Sequence, residues 1–473
     1  MRSVLKEYNF DWRFWSILDN ACKMFDGTPK EFQHTVPYAP AFRETSEKIL
    51  GLGEPGLKLV KGTARYMENI LKAHERGRKI ALITYNCSPA ILYALDIVPY
   101  CLEGLSAFYA STWKMGISES LDYCCEVGFT ETSCSGQRVA LGSILAGLSE
   151  RPDLILCSTP GVCDSNANSF AFASAYLDIP FCQMDYPPTL VDEAANEYQR
   201  ADFRRMITFL EEQSGNKLEP DKLREICEEM ARQDELICEI QELQRLIPSP
   251  VPGVYNLLLY DIKVLFSGVP EGTEILEAML AVAKDNAARG VAGDGEERLR
   301  GMFFYIDHYC ISMKYWRWLE KNGISHIGTM MTDFWQVDAP YAKGREIEGY
   351  TIDTGNMDAM IDSLVGQTSR MPMIKQIRGP YDAPHMWLDD TVGVAKLMKA
   401  DFLAYMGTMG CRNTWGMVKL IARDLEKLDF PTLILYADSF DNRVEPVDTF
   451  LGKIDEFLRV RRIRGWEGAR WTG

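Results

Sequence analysis

Short apolar runs that alternate with helical stretches are the feature that most constrains the fold of this chain. In the first half, the runs KIALITY, DLILCST and IPFCQMD are separated by helical segments. In the second half, GMFFYIDHYC, ISHIGTMMTDF, ADFLAYMGTMG and FPTLILYAD repeat the pattern. Strands that alternate with helices at this spacing are typical of a parallel sheet covered by helices. The sequence therefore predicts an α/β protein with two doubly wound, Rossmann- or flavodoxin-like lobes.

Helical segments precede and separate these lobes. The first 75 residues are amphipathic and are interrupted at GLGEPG, and the region after residue 190 is charged with one periodic apolar face. A Pro-rich linker, PSPVP, breaks that region. We expect a helical N-terminal segment (1–75), a first lobe (76–190), a helical insertion (191–294) and a second lobe with a C-terminal helix (295–473).

The charge balance narrows the classes of function. The chain has 51 Lys and Arg against 67 Asp and Glu, a formal charge of -16. Such a surface repels phosphate backbones and anionic lipid, so we expect neither nucleic-acid nor membrane binding. No apolar run approaches the ~20 residues that span a bilayer, and the N-terminus, MRSVLKEYNFDWRFW, lacks a signal-peptide core. A soluble, cytoplasmic protein is expected.

Three of the thirteen cysteines are candidate metal ligands. In open α/β sheets, ligands bind outside the carboxyl ends of the strands. Cys87, Cys134 and Cys411 each lie in a loop that opens a predicted helix, where the thiolate form that ligates metal is favoured. Two belong to the first lobe and one to the second, so they could meet only in the cleft between lobes. Three thiolates and one open position suit an iron–sulfur cluster, with Ser88 and Ser135 as candidate neighbours of the open iron.

Structural roles are the simpler interpretation for the remaining candidates. Cys163 is the best spare ligand near the strand ends, followed by Cys157 and Cys182, whereas the adjacent Cys124 and Cys125 are expected to serve packing. His308 and His385 could act as acid or base, but satisfied structural histidines are the more common case. The sequence contains no GxSxG motif, so nothing supports a serine hydrolase. Core packing is also favoured for the aromatic helix at Tyr315-Trp316-Arg317-Trp318.

Three cysteine-containing segments resemble one protein family. Residues 85–99, YNCSPAILYALDIVP, resemble the first cluster segment of the 2-hydroxyacyl-CoA dehydratase and benzoyl-CoA reductase superfamily. Thr132-Ser133-Cys134 resembles its second cysteine loop, although SGQR replaces the apolar-lysine sequence that usually follows. The third segment, GCRNT, is the most similar, with FPTLIL, Asp438 and Asp441-Asn442-Arg443 after it. The order of these segments over residues 75–460 is what makes the resemblance specific.

The resemblance implies a two-lobed subunit with a [4Fe–4S] cluster held by Cys87, Cys134 and Cys411. It also implies a related partner subunit, an acyl-CoA substrate, and an ATP-hydrolysing iron–sulfur activator that injects one electron at low potential. That electron would reduce the thioester to a ketyl-type radical, from which the α-hydroxyl and a β-proton can leave. This chain has no GxxxxGK[ST] loop, and GLGEPG follows a helical stretch rather than a strand, so ATP is expected to be used by a partner.

Three functions stay open at this point. Dehydration of a 2-hydroxyacyl-CoA is favoured, because GCRNT followed by FPTLIL is more similar to the dehydratase subunits. Reduction of an aromatic acyl-CoA is the alternative within the enzyme class. A partner subunit whose cluster is absent or only relays electrons is the third. The acyl group, the acid or base and the subunit that holds CoA are left open by the sequence.

Overall fold

Two separate four-stranded parallel sheets form the framework of the protein, as the sequence predicts. The computed structural model describes residues 9–24, 40–85, 87–112, 116–157, 163–187, 192–306, 308–329, 337–338, 348–371, 374 and 383–472. The first sheet contains β1 (Ile80–Ile83), β2 (Val98–Cys101), β3 (Leu154–Cys157) and β4 (Phe181–Gln183). The second contains β5 (Leu299–Tyr305), β6 (Ile324–His326), β9 (Phe402–Met406) and β10 (Thr432–Leu435), while β7 (Val337–Asp338) and β8 (Glu348–Gly349) form a small antiparallel ribbon.

The two sheets share one topology. The strand order is β2-β1-β3-β4 in the first sheet and β10-β9-β5-β6 in the second. The order in which the chain adds strands therefore reverses once in each sheet. The reversal lies between β1 and β3 in the first sheet and between β5 and β9 in the second. Crevices at the carboxyl ends of such strand pairs are the usual ligand sites of open α/β sheets.

Helices cover both sheets and form the segments outside them. Before and within the first lobe they are α1 (Phe10–Met24), α2 (Pro40–Leu50), α3 (Glu54–Leu71), α4 (Ala90–Ala94), α5 (Leu102–Thr112), α6 (Gly116–Glu126), α7 (Ser135–Leu145) and α8 (Asp164–Leu177). The predicted insertion contains α9 (Glu193–Ser214), α10 (Pro220–Gln244), α11 (Tyr255–Leu265) and α12 (Pro270–Arg289). The second lobe contains α13 (Ser312–Asn322), α14 (Met357–Ser369), α15 (Ala383–Leu397), α16 (Arg412–Trp415), α17 (Val418–Lys427) and α18 (Val447–Val460).

Strand β2 is one element that the sequence pattern does not predict. The run AILYALDIV is expected to be helical, but the helix ends at Ala94 and the chain re-enters the sheet at Val98. β2 lies at the edge of its sheet and pairs with β1 alone, with Ala81 opposite Pro99. Proline is tolerated on edge strands because its missing N–H breaks no ladder on the open side. Tertiary pairing therefore overrides the local helical pattern here.

The N-terminal helix is joined to the first lobe by a buried carboxylate. Asp11 is completely buried and accepts hydrogen bonds from the hydroxyls of Tyr100 and Tyr109 and from the backbone N–H of Glu150. Burial raises the pKa of Asp11, and these three donors oppose that effect. The predicted N-terminal segment thus packs on the first lobe, while the exact domain limits stay predictions. In the described part of the chain, no helix has both the length and the apolarity to cross a membrane.

Two glycines provide a matched test of the packing. A Cβ atom at Gly142, in α7, would lie 1.9 Å from the backbone oxygen of Ser120 in α6, whereas a Cβ at Gly452, in α18, would meet nothing within 4 Å. We predict that Gly142→Ala lowers the free energy of unfolding by about 1–3 kcal/mol or more, because the two helices must move apart. Gly452→Ala should raise it by about 0.5–1 kcal/mol, since alanine favours the helix. Thermal melts of both variants check this; an unchanged melting temperature for Gly142→Ala would contradict the packing of α6 on α7.

Candidate functional site

The crevices of the two sheets open into one pocket between the lobes, which we call the central pocket. Residues that follow four strands line it: Tyr85 after β1, Cys163 after β3, Ile306 after β5 and Cys411 after β9. The pocket encloses about 770 Å³ of empty space, part of it open to solvent. Other residues that line it are Glu103, Cys134, Gln137, Tyr260, Tyr305, Thr408 and Phe440.

Three free thiols line the central pocket, and each precedes a helix. Cys134 and Cys163 are the N-cap residues of α7 and α8, and Cys411 directly precedes α16. Burial raises the pKa of Cys134 and Cys163, and the nearby Cys411 raises both further. In their ionised forms these thiols repel one another, as metal ligands do when no cation is bound between them. The donor set therefore suits a positively charged, sulfur-binding group.

The structure does not bring Cys87 into this pocket. Cys87 and Ser88 line a neighbouring pocket of about 380 Å³, whose other walls include Met184, Phe203 and Met206. Cys163, the spare ligand of the sequence interpretation, occupies the central pocket instead. The assignment of Cys87 as a ligand stays a prediction, and the geometry favours Cys163 in its place.

The chemistry of the three thiols fits a cluster better than a single ion. In the described part of the chain, no three His, Cys, Asp or Glu side chains converge closely enough to hold one metal ion. Cys134, Cys163 and Cys411 instead lie around a common space. In a four-iron cluster each thiolate binds a different iron, so its ligands need not converge on a point. The residues present therefore fit a cluster with one iron that has no cysteine ligand.

The cysteine loops of the two lobes are in direct contact. A Cβ atom at Gly410 would lie 2.4 Å from the Cα atom of Cys134, so only glycine permits this approach of the backbones. Across the same cleft, Arg412 forms an ion pair of 2.9 Å with Asp164, which links the residue after Cys411 to the residue after Cys163. Residues next to the pocket cysteines therefore make the contacts that bring the two lobes close together.

The two residues that follow Cys134 are closely packed against the second lobe. A Cβ atom at Gly136 would lie 2.7 Å from the ring of Phe440, so that position is filled. The hydroxyl of Ser135 donates a hydrogen bond to Asp438 of the second lobe. Ser135 follows Cys134 in the chain, but its hydroxyl is hydrogen-bonded to the carboxylate of Asp438.

Glu103 is a buried carboxyl that the sequence analysis missed. It lies at the start of α5, directly after β2, and lines the central pocket. Its Oε1 accepts from Gln137 Nε2 at 2.5 Å, and its Oε2 accepts from the backbone N–H of Tyr85 at 3.1 Å. Burial raises the pKa of Glu103 to about 7, although hydrogen bonds including these two lower it. A carboxyl that titrates near neutrality can both donate and accept a proton.

Comparison with known proteins identifies the family. The model of the 2-hydroxyglutaryl-CoA dehydratase D-component matches residues 84–458. The chain belongs to this family. The matched region includes the second sheet, three strands of the first sheet and every residue that lines the central pocket.

Two relatives of this dehydratase family member are dehydratase subunits. The (R)-2-hydroxyisocaproyl-CoA dehydratase alpha subunit of Clostridioides difficile is 26% identical over 320 residues, 64% of this chain and 78% of that subunit. The (R)-phenyllactyl-CoA dehydratase alpha subunit of Clostridium sporogenes is 25% identical over 243 residues, 49% of this chain and 59% of that subunit. These 2-hydroxyacyl-CoA dehydratases are lyases, so the resemblance and the enzyme class expected from the motifs are confirmed.

Tyrosine side chains line the pocket that holds the thiols of this dehydratase chain. The hydroxyl of Tyr305 lies 3.0 Å from the Sγ atom of Cys411. Tyr305 has a φ of 95°, an uncommon conformation for a side chain of this size, at the end of β5. Burial raises the pKa of Tyr85, Tyr260 and Tyr305 well above the usual value. These phenols are therefore neutral groups that can donate a hydrogen bond but do not act as bases.

The remaining candidates have structural surroundings. His308 is buried, with its Nε2 3.0 Å from the backbone oxygen of Gly407, and its ring packs against Phe450. The side chain of His385 lies outside the described residues. Cys124 is buried, in keeping with a packing role, whereas the adjacent Cys125 is exposed. Tyr315, Trp316 and Trp318 pack in the core, and Cys157 and Cys182 are buried in strands β3 and β4.

The raised pKa of Glu103 has a measurable consequence. Its carboxyl should stay protonated up to about pH 7, against a usual value near 4.5. Because the folded state disfavours the ionised form, this group costs nothing below the usual pKa and destabilises the fold progressively as pH rises through about 7. We therefore predict that Glu103→Gln melts higher relative to wild type at about pH 8 than at about pH 5.

Infrared difference spectra between these pH values provide the direct readout. The carbonyl stretch of a protonated carboxyl should disappear as pH rises through about 7 in the wild type, and this change should be missing in Glu103→Gln. Exposed Glu126, in α6, is the matched control, and Glu126→Gln should keep the wild-type change. Wild-type and Glu103→Gln spectra that do not differ in this range would contradict the assignment.

Proposed function

We propose that this chain is the cluster-bearing subunit of a radical 2-hydroxyacyl-CoA dehydratase, which converts a 2-hydroxyacyl-CoA to an enoyl-CoA and water. The observation that carries the proposal is the meeting of Cys134, Cys163 and Cys411 in one inter-lobe pocket. Family membership supplies the reaction class. The buried carboxyl of Glu103 in the same pocket supplies a group that can move a proton.

Three thiolates, from Cys134, Cys163 and Cys411, would hold a [4Fe–4S] cluster. When bound, such a cluster supplies one electron at low potential and a Lewis-acidic iron for the thioester oxygen. The hydroxyl of Tyr305, 3.0 Å from the Sγ of Cys411, would hydrogen-bond to that ligand. Arg412 and Asp164, paired at 2.9 Å, hold the loops of Cys411 and Cys163 together at the mouth of the pocket.

Glu103 would carry the proton transfers of dehydration. Loss of water from a 2-hydroxyacyl group removes the α-hydroxyl, which leaves most easily when protonated, and a proton from the β-carbon. A carboxyl with a pKa of about 7 is present in both forms near neutral pH, so it can serve as acid or base. Gln137 keeps it in place, because the Oε1 of Gln137 accepts from Ser169 at 3.0 Å and its Nε2 therefore faces Glu103.

Apolar side chains between the lobes would surround the acyl group. Ala107, Val264, Leu265, Ile306 and Phe440 line the central pocket together with neutral tyrosines. An acyl group bound there would be kept from bulk water, which protects a ketyl-type radical from quenching. The pocket thus combines an apolar wall with a few convergent polar groups, as small-molecule sites commonly do.

Partners complete the proposed activity. Both relatives are alpha subunits of dehydratases, so a second, related subunit is proposed for this chain. The sequence has no GxxxxGK[ST] motif, and we therefore assign ATP hydrolysis to a separate iron–sulfur activator that delivers the electron. Reduction of an aromatic acyl-CoA stays the alternative reaction, and the product formed from each thioester separates the two.

Iron analysis of anaerobically purified protein tests the cluster ligands. We predict about four irons per chain, with most of the iron lost in Cys134→Ser, Cys163→Ser and Cys411→Ser, since each thiolate holds one iron. Cys87→Ser should retain its iron, as should the controls Cys124→Ser and Cys227→Ser, whose cysteines are buried outside the central pocket. Full iron in Cys411→Ser would contradict the site. Loss of iron from Cys87→Ser with full retention in Cys163→Ser would instead favour the ligand set expected from the sequence.

Turnover of the complete system tests the reaction. With partner subunit, activator and ATP, the complex should form an enoyl-CoA from at least one of a panel of 2-hydroxyacyl-CoA thioesters. Glu103→Gln should lower kcat by ~10²–10⁴ while keeping its iron, because one acid–base group is removed. Glu126→Gln is the matched control and should be fully active. Turnover by the isolated chain without ATP or another protein would contradict the proposal.

A further inference from the structure

One carboxylate, that of Asp438, binds both cysteine loops. Asp438 follows β10 in the second lobe and is buried. Its Oδ2 accepts from the hydroxyl of Thr408 at 2.8 Å and from the backbone N–H of Met409 at 3.1 Å. Its Oδ1 accepts from the hydroxyl of Ser135 in the first lobe. The donors therefore come from both sides of the inter-lobe cleft.

Each of these donors lies within three residues of a pocket cysteine. Ser135 follows Cys134 and is the first residue of α7. Thr408 begins the loop that ends at Cys411, and its backbone oxygen accepts from the backbone N–H of Cys411 at 2.9 Å. The hydroxyls of Ser135 and Thr408 are also 3.1 Å apart, so the contact is continuous across the cleft.

Asp438 also has a local role, which must be separated from this one. Its Oδ1 accepts from the backbone N–H groups of Phe440 at 2.9 Å and Asp441 at 2.8 Å, which closes its own turn. That local turn alone would need neither Ser135 nor Thr408. Hydrogen bonds to a charged acceptor are stronger than those between neutral groups, so the two hydroxyls add substantially to the inter-lobe contact.

We propose that Asp438 is a positioning residue that fixes the separation of Cys134 and Cys411 across the lobes. Gly410 packs on the Cα atom of Cys134, and the carboxylate of Asp438 then restricts the two cysteine loops to a single relative position. The functional meaning of this arrangement rests on the proposed cluster site. The arrangement itself is a property of the iron-free chain and can be measured there.

Cross-linking of the iron-free, full-length chain tests the positioning role. Dibromobimane joins two thiols that lie close together, and mass spectrometry of tryptic peptides identifies the pairs. The readout is the yield of the Cys134–Cys411 bridge relative to the Cys134–Cys163 bridge, since the latter pair lies within the first lobe. Asp438→Asn and Thr408→Val should lower this ratio roughly tenfold, because each loses hydrogen bonds to a charged acceptor.

Two matched variants serve as controls. Thr408→Ser keeps the hydroxyl and should restore the wild-type ratio. Asp455→Asn alters an acidic residue of α18 in the same lobe, whose carboxylate accepts from the indole N–H of Trp466 at 2.9 Å, and should also leave the ratio unchanged. If Asp438→Asn does not fold, Thr408→Val decides, because it leaves the turn of Asp438 intact.

The outcomes separate this inference from the proposed function. A wild-type ratio in folded Asp438→Asn or in Thr408→Val overturns the positioning role, even if the chain binds iron fully. A lowered ratio in both, with Thr408→Ser and Asp455→Asn unchanged, supports it, even if the wild-type chain holds no iron and the proposed function fails.

Discussion

The contact between Gly410 and Cys134 is the constraint on which the site depends. At this point the backbones of two loops from different lobes touch, with no side chain between them. Gly410 lies in the loop after β9 of the second sheet, whereas Cys134 lies between β2 and β3 of the first, so neither sheet alone brings them together. The carboxylate of Asp438 and the Arg412–Asp164 ion pair also join the same two lobes. The composition of the site therefore depends on how the two lobes pack together as much as on the fold of each lobe.

Repetition of one topology explains why the lobes meet at their ligand-binding edges. Each sheet reverses its strand order once, and the loops at both reversal points open into the central pocket. The three thiols there repel one another when ionised, and burial adds to the cost, as the raised pKa values of Cys134 and Cys163 indicate. An arrangement that is unfavourable for bare thiolates becomes favourable when a cationic cluster binds, because binding couples to ligand ionisation. Burial at the same edge also raises the pKa of Glu103 to about 7.

Much of this architecture could be predicted from the sequence, whereas the set of residues that line the central pocket could not. Alternating apolar runs predict both lobes, and the motif order predicts the family. Strand β2 escapes prediction because its pairing with β1 is a tertiary effect. Cys163 and Cys87 both follow strands, so local pattern cannot tell which of them faces the cleft. Glu103 carries one visible signal, a single carboxyl in the apolar stretch IVPYCLEGLSAFYA. Its raised pKa depends on burial that only the fold creates.

The proposed function requires a cluster between the lobes that is held by cysteines of both. Anomalous diffraction at the iron edge, from crystals of anaerobically purified protein, tests this claim most directly. We predict one compact iron peak in the central pocket, within bonding distance of the sulfur atoms of Cys134, Cys163 and Cys411. An iron peak beside Cys87 in the neighbouring pocket, or iron bound at the surface with the central pocket filled only by water, would contradict it.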